Sequence, residues 1–219
     1  MAYRAANRVA EAGWHNAPVP SFGGLDAAVL VVGLAPGVRG ANRTGRPFTG
    51  DYAGVLLYET LIKFGFAGGV YGASADDGVR LQGCRITNAV RCVPPQNKPT
   101  PAEARNCLPF LRDEIAAMPE LRAILALGVL SHEMSLRALG VKPSAHIFRH
   151  GAVHEVRPGL ALVDSYHVSR YNTSTRRLTP GMFEDAVRAL IPARGDGGAA
   201  ARKYKTPRGD GGVAARGSG

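Results

Sequence analysis

Short, uninterrupted apolar runs constrain the fold of this chain more than any other feature. The run 28–34 (AVLVVGL) is rich in β-branched residues and is followed by Ala-Pro-Gly, which is typical of a buried strand. Three more segments are predicted as strands, and segments with helical spacing separate them. This alternation predicts a parallel sheet covered by helices on both faces. The predicted strands are 28–34, 85–90, 121–127 and 160–165, and the predicted helices are 51–64, one from Pro101, 128–139, and 180 to about 190.

The chain has 219 residues, which fits one domain, predicted over residues 1–192. Residues 193–219 are mostly Gly, Ala and Arg, and the segment 194–202 recurs almost unchanged at 208–216. A segment of this composition has too few apolar residues to bury a core, so we expect a disordered basic tail.

The formal net charge is +10, and the tail, with six Lys or Arg and two Asp, supplies about four of these charges. A basic folded domain favours a polyanionic partner, nucleic acid first; a solvated basic surface is the simpler alternative. No apolar run reaches the roughly 20 residues that cross a membrane, and residues 1–4 do not resemble a signal peptide. We therefore expect a soluble, cytoplasmic protein with no membrane partner.

Ligands of parallel sheets bind beyond the carboxyl ends of the strands. The segment 33–51, after the first predicted strand, is rich in Gly with Arg and Asn, but it matches no phosphate-loop motif. Within it, Asp51 stands where a helix begins and is either an N-cap or a functional carboxylate. Phe48 is either a core residue or a platform for a base.

Two other strand ends carry polar groups. Asn88 offers an amide that matches the edge of a pyrimidine, or simply satisfies backbone groups. His167 follows the fourth predicted strand and precedes a loop of Ser, Asn, Arg and Tyr, which suits contacts with phosphates. Tyr171 in that loop could wedge or stack against bases.

Three segments together resemble the uracil-DNA glycosylase superfamily, and family 5 within it. They are GLAPGVRGANRTGRPFTGD, ITNAVRCVPPQNKPTP and DSYHVSRYNTSTRRLTP, and the similarity covers about 18–190. The resemblance implies a three-layer α/β/α sandwich around a four-stranded, mostly parallel sheet. It also implies an enzyme that flips a deaminated base out of DNA and hydrolyses its N-glycosidic bond.

The resemblance implies a role for each site residue. Phe48 would stack on the uracil ring, Asn88 would read the base edge and His167 would hydrogen-bond the base O2. Asp51 would position the water, with Asn42 as a neutral alternative. The wall of the base pocket would be Gly33, Leu34, Ala35, Pro36 and Gly37. The expected DNA contacts are Arg39, Arg43, Ser169, Arg170, Tyr171, Asn172 and Arg176, and the loop 169–177 would enter the minor groove.

The cysteines depart from the family pattern. Families 4 and 5 carry a 4Fe-4S cluster on four cysteines, whereas this chain has Cys84, Cys92 and Cys107. Cys92 and Cys107 match the downstream pair and would be the ligands if a cluster were present. The N-terminal pair is absent, so either the natural start lies upstream or the chain is a cluster-free branch. We expect no cofactor.

Three functions remain open from the sequence. The leading one is a monofunctional uracil glycosylase whose partner is DNA containing uracil or abasic sites. The resemblance to family 5 implies that hypoxanthine or xanthine are further substrates. We expect the protein to act as a monomer. The apolar stretch Leu34-Ala35-Pro36, where related enzymes carry a polar residue, motivates a non-catalytic or single-turnover binder of the same DNA. The Gly-rich loop motivates a binder of small nucleotides or phosphate.

Overall fold

The computed structural model describes residues 2–194, and a mixed sheet forms its centre. The strands are β1 Val29–Gly33, β2 Ala67–Gly68, β3 Arg80–Leu81, β4 Cys84–Asn88, β5 Ala123–Leu127, β6 Val153–Arg157 and β7 Leu160–Ser165. The helices are α1 Ala2–Ala10, α2 Ala41–Thr44, α3 Tyr52–Lys63, α4 Pro101–Ala116, α5 Val129–Ala138, α6 Arg170–Ser174 and α7 Pro180–Arg188. Short 3-10 turns span Pro95–Asn97, Pro143–Ala145 and Ile191–Arg194.

The central sheet has the order β4-β1-β5-β7-β6, and its first four strands are parallel. These four are the predicted strands, with ends that differ from the prediction by at most two residues. The fifth strand, β6, pairs antiparallel with β7 at the edge, so the expectation of four strands is wrong by one. The sequence of β6, VHEVR, has no continuous apolar run because most of the strand stays accessible to solvent.

Alternate residues of the parallel strands bury against two layers of helices. On one face, Val31 and Leu125 belong to a cluster that includes Leu57 of α3 and Phe183 of α7. On the other face, Leu30, Val32, Ile124 and Leu162 belong to a cluster with Leu111 of α4 and Met134 of α5. The predicted three-layer α/β/α arrangement is therefore confirmed.

Local signals fix the helix that follows β4. The side chain of Thr100 accepts a hydrogen bond from the backbone N–H of Glu103 at 3.2 Å, and the Glu103 carboxylate accepts one from the N–H of Thr100 at 2.7 Å. This reciprocal capping box, with Pro101 in the first turn, is the one the sequence predicts. It starts α4 at the expected residue.

The end of the described chain extends beyond the predicted boundary. The turn Ile191–Arg194 continues past residue 192, and Ala193 packs against the core. The rest of the predicted tail, including most of the near-duplicate segment, lies outside the described residues. Among the residues that are described, none of the helices is both long enough and apolar enough to cross a membrane.

Candidate active site

A small cavity opens at the carboxyl edge of the parallel strands, where the sequence predicts the ligand. Its volume is about 30 Å³, far below the roughly 300–1,000 Å³ typical of sites for drug-sized ligands. The loop after β1, the end of β4, the start of α3 and the segment after β7 all contribute to it. The lining residues are Ala35, Pro36, Gly37, Ala41, Phe48, Asp51, Ala53, Asn88 and His167.

Asp51 is both a helix cap and a member of the cavity wall. Its Oδ1 accepts a hydrogen bond from the backbone N–H of Ala53 at 3.2 Å, which caps α3. Its Oδ2 lies against the backbone of Gly37 and Gly40; a Cβ on these residues would stand 2.7 Å and 2.2 Å from that oxygen. Burial raises the pKa of Asp51, although backbone hydrogen bonds from Gly54 and Ala53 oppose the shift. Asp51 is therefore the N-cap of α3, and its role as a functional carboxylate stays a prediction.

Phe48 combines a buried ring with a left-handed backbone. Its φ is 54°, an uncommon value for a bulky residue, and 6% of its surface is exposed. The ring lies directly over Gly33, where a Cβ would come within 2.4 Å of Cζ. The ring centroid is 6.0 Å from that of His167, with 30° between the planes. Phe48 belongs to the core and at the same time forms one wall of the cavity.

A layer of buried polar groups holds the Phe48 backbone in this conformation. Arg46 donates to Thr49 Oγ1 at 2.7 Å and forms a two-pronged ion pair with Asp77, with both contacts at 2.7 Å. The Tyr71 hydroxyl donates to the carbonyl of Phe48 at 3.1 Å. The Arg46 guanidinium holds the pKa of Asp77 well below its usual range. Sequence reasoning missed Arg46, Asp77 and Tyr71, because Asp77 and Tyr71 lie in a separate segment between α3 and β4, which connects strands β2 and β3.

Asn88 ends β4 with an unsatisfied acceptor. The residue is 5% exposed, and its Oδ1 has no hydrogen-bond partner among the described residues. Gly33 on the neighbouring strand makes room for this oxygen, since a Cβ there would come within 2.3 Å of it. A buried acceptor without a donor costs free energy unless a ligand supplies one. This oxygen is therefore available to accept a hydrogen bond from the N–H of a bound molecule.

His167 follows β7 and faces Phe48 across the cavity. Desolvation lowers its pKa to about 4, so its imidazole is neutral at physiological pH and carries one N–H. The side-chain amide of Asn172 donates to the backbone carbonyl of His167 at 2.7 Å. Ser169 caps a short helix, α6, by accepting from the N–H of Asn172 at 3.4 Å. The sequence predicts a loop at 169–177, whereas the structure forms the short helix α6 there. The N-cap residue Ser169 is the signal that could have predicted this helix.

Three residues expected at the site, Gly33, Leu34 and Asn42, are not among those that line the cavity. Asn42 is fully buried and its amide donates to Asn16 Oδ1 at 2.9 Å, while Asn16 donates to the carbonyl of Glu11 at 2.7 Å. Neither Asn42 nor Leu34 is among the residues that line the cavity. The Leu34 carbonyl accepts from the N–H of Val90 at 3.0 Å and extends the β1–β4 pairing. The structure therefore does not bring Asn42 to the position of a neutral water-holder.

The residues predicted to contact DNA lie around this edge with different exposures. Ser169 and Asn172 are half-buried and already form the internal bonds described above. Tyr171 is 69% exposed, and the Arg170 guanidinium lies 5.9 Å from the Tyr52 ring centroid. The exposed cations of the predicted set are Arg39, Arg43, Arg170 and Arg176. Their contacts with DNA stay a prediction.

The cysteines do not fit a four-thiolate cluster. Cys92 and Cys107 line one surface cavity together with Pro18 and Phe110, and burial raises the pKa of the Cys107 thiol. Cys84 is buried at the start of β4, whereas Cys92 comes four residues after that strand ends. The 219 residues contain no fourth cysteine, so they supply two neighbouring thiols where a 4Fe-4S cluster needs four ligands.

Comparison with known proteins identifies the family. The family model described as the uracil DNA glycosylase superfamily matches residues 20–191. A type-5 uracil-DNA glycosylase of Thermus thermophilus is 49% identical over 170 residues, which cover 78% of this chain and 77% of the relative. A type-5 uracil-DNA glycosylase of Mycobacterium tuberculosis is 44% identical over 176 residues, 78% of this chain and 65% of the relative. A type-4 enzyme of Pyrobaculum aerophilum is 37% identical over 123 residues, 56% of this chain and 55% of the relative. The chain belongs to the uracil DNA glycosylase superfamily.

Proposed function

We propose that this protein excises uracil from DNA by hydrolysing the bond between the base and deoxyribose, which leaves an abasic site. The observation that carries the proposal is the buried Oδ1 of Asn88, which has no hydrogen-bond partner among the described residues and belongs to a residue that lines the same cavity as Phe48 and His167. A uracil whose ring lies against Phe48 offers its N3–H to this oxygen and its O4 to the amide of the same side chain. The relatives in this family support the assignment, since they are named uracil-DNA glycosylases.

Neutral His167 suits the departing base. As the bond between C1′ and N1 breaks, its electron pair moves onto the base, and negative charge develops at N1 and O2. A neutral imidazole N–H aimed at O2 stabilises this charge without the cost of burying a cation. The low pKa of His167 keeps the imidazole in this form throughout the physiological pH range.

Asp51 suits the sugar side of the reaction. Its carboxylate, ionised above its raised pKa, stabilises the oxocarbenium-like sugar and orients a water toward C1′. The water oxygen bonds to C1′, and its proton passes to the carboxylate. Burial of Asp51 strengthens both effects, because the local dielectric is lower than that of water.

A gel assay tests these roles. Enzyme in excess is mixed with a labelled duplex that holds one uracil, and alkali then cleaves each abasic site. We expect wild type to generate the product and both Asp51→Ala and His167→Ala to lose at least about 100-fold in rate, as general acid–base and charge-stabilising groups do. Wild-type rates in either variant would contradict the role assigned to that residue.

We also propose that the reaction needs no iron–sulfur cluster, because the chain supplies too few thiolates to hold one. The assay is repeated with a chelator, and the iron content of the purified protein is measured. Activity at a negligible iron content is the expected result. Stoichiometric iron, with activity lost on its removal, would contradict the proposal.

The acceptor and donor of the Asn88 side-chain amide also support hypoxanthine as a second substrate. Its N1–H and O6 present a donor and an acceptor side by side, as uracil does with N3–H and O4. Duplexes with hypoxanthine or xanthine in place of uracil test the base range; no release of either base would restrict the enzyme to uracil.

A lesion binder on the same fold is the alternative, and the apolar Ala35 in the cavity wall favours it. Excess substrate separates the two, because a binder stops at or below one product per protein. We further propose that the protein acts as a monomer on chromosomal DNA in the cytoplasm. Light scattering that gives twice the chain mass would contradict the monomer.

A further inference from the structure

The loop formed by residues 146–152 lies beside the candidate active site although it belongs to the added strand. It leads into β6, which runs antiparallel to β7, so the loop stands at the carboxyl end of β7. This is the edge from which His167 emerges. A four-stranded sheet that ended at β7 would have no such loop, and none of the residues predicted from the sequence falls in it.

A buried carboxylate anchors this loop to β7. Asp164 is fully buried, and its Oδ2 accepts from the backbone N–H of Arg149 at 3.1 Å and from His154 Nε2 at 3.0 Å. The backbone of Asp164 also accepts from the N–H of Gly151 at 2.8 Å and donates to the carbonyl of Ala152 at 2.9 Å. Three hydrogen bonds with the loop and one with His154 of β6 converge on this residue and leave the loop little freedom.

His132 completes the anchor from helix α5. Its Nδ1 donates to Asp164 Oδ1 at 2.7 Å, and its Nε2 donates to the carbonyl of His146 at 2.9 Å. Both ring nitrogens face oxygen acceptors, so the bonding pattern is that of an imidazolium. Burial opposes this charge, but the hydrogen bond to Asp164 raises the pKa of His132. The cation offsets the buried carboxylate and fixes the start of the loop.

The other side of the loop docks on the residue next to His167. The His150 ring stacks on Tyr166 with centroids 4.9 Å apart and 11° between the planes, and His150 Nδ1 accepts from the N–H of Tyr166 at 3.1 Å. The Arg177 guanidinium lies 4.6 Å from the Tyr166 ring centroid. Tyr166 thus connects the 146–152 loop to the segment 169–177, which follows His167.

The outer surface of the loop matches the chemistry of a DNA strand. Arg149 is exposed and forms no ion pair with any described residue, and Ile147 is 76% exposed. Residues 139–153 contain no Asp or Glu, while Lys142 and Arg149 add positive charge. An exposed cation and an apolar side chain on a rigid loop suit a phosphate and the sugar next to it.

We propose that the 146–152 loop is a second DNA-contacting element, in which Arg149 binds a backbone phosphate beside the flipped nucleotide and Ile147 packs against the adjoining deoxyribose. The proposal rests on the proposed function, because it places the flipped base in the cavity next to His167. The anchor through Asp164 orders the loop before DNA arrives, so binding does not have to order it.

Salt dependence tests the phosphate contact directly. The probe is a labelled duplex with one stable abasic-site analogue, and its affinity is measured by fluorescence anisotropy between 50 and 200 mM salt. Arg149→Gln should weaken binding about tenfold and reduce the slope of log K against log salt by about 0.9. Arg149→Lys keeps the charge and should restore the slope. Ile147→Ala should weaken binding and leave the slope unchanged.

The matched control is Arg122→Gln, which removes the same charge just before the start of β5. This position lies at the amino-terminal ends of the parallel strands, opposite the carboxyl ends where the cavity opens. We expect it to keep the wild-type slope. A slope for Arg149→Gln equal to that of Arg122→Gln would overturn the proposal. If wild type excised no uracil, the proposed function would fail, whereas the slopes would still decide whether the loop binds DNA.

Discussion

Replacing Gly40 with alanine should abolish most of the activity although Gly40 itself contacts no reacting atom. A Cβ at this position would stand 2.2 Å from Asp51 Oδ2, 2.7 Å from Cγ and 3.0 Å from Cβ. The steric effect of the new methyl group falls on the Asp51 side chain.

The size of the effect follows from the distances. Ordinary van der Waals contact begins near 3.4 Å, so Asp51 Oδ2 has to move by at least about 1.2 Å. A displacement of about 1 Å at a catalytic group costs on the order of 100-fold in rate. Gly37→Ala is a milder version, because its Cβ would meet Oδ2 at 2.7 Å and needs a shift of only about 0.7 Å. We expect a smaller loss there.

Single-turnover excision of uracil measures the effect, and affinity for the abasic-site duplex shows that the fold is intact. Gly181→Ala is the matched control, since a Cβ at this position in α7 has nothing within 4 Å. The control should keep the wild-type rate and gain up to about 1 kcal/mol in stability from helix propensity. A Gly40→Ala rate within threefold of wild type would refute the role of the Asp51 carboxylate.

Four further perturbations test the site. Asp51→Asn keeps an N-cap acceptor but removes a carboxylate whose pKa is raised in the folded protein. Such a carboxylate lowers the stability of the fold as the pH rises through its pKa. Thermal unfolding at pH 7 should therefore show that the Asp51→Asn protein is more stable than wild type, and the protein should be inactive. The wild-type rate should fall on acidification through the raised pKa of Asp51, while His167 stays neutral down to about pH 4; a rate that is flat between pH 7 and pH 4 would contradict this. Asp77→Asn leaves Arg46 buried without its counter-charge and should cost about 3 kcal/mol in urea unfolding, so an unchanged midpoint would argue against the ion pair. Asn88→Ala removes an unpaired buried oxygen and should reduce uracil excision at little cost in stability; full activity would exclude Asn88 from base recognition.

The parallel part of the fold could be predicted because strands such as β1 and β5 are apolar runs and several helices have their own start signal. Thr100 and Glu103 start α4 by bonds within one turn, so the signal is complete in the sequence. Strand β6 could not be predicted in the same way, because an exposed edge strand needs no apolar face. Its existence depends on pairing with β7, which is a tertiary event.

The same distinction separates the site residues. Asp51, Phe48, Asn88 and His167 stand at strand or helix ends, and topology brings such ends together. The Asn42 amide donates to Asn16, a partner 26 residues away in the sequence that no local pattern reveals.

The glycines of the first loop show a different limit. Their abundance suggests a cradle for phosphate, yet Gly33, Gly37 and Gly40 each make room for a side chain of the cavity. Gly33 admits Phe48 and the Asn88 oxygen, and the other two admit the Asp51 carboxylate. Only the folded chain shows which neighbour a missing Cβ accommodates.

The number of uracil molecules released per protein tests the central claim most directly. A duplex with one uracil is present in several-fold excess, a chelator is included, and free uracil is quantified by mass spectrometry. A glycosylase built on Asp51, Asn88 and His167 should release well over one equivalent, and His167→Ala should release far less in the same time. Tight binding of the duplex with no more than one equivalent of uracil would contradict catalysis and identify a lesion binder.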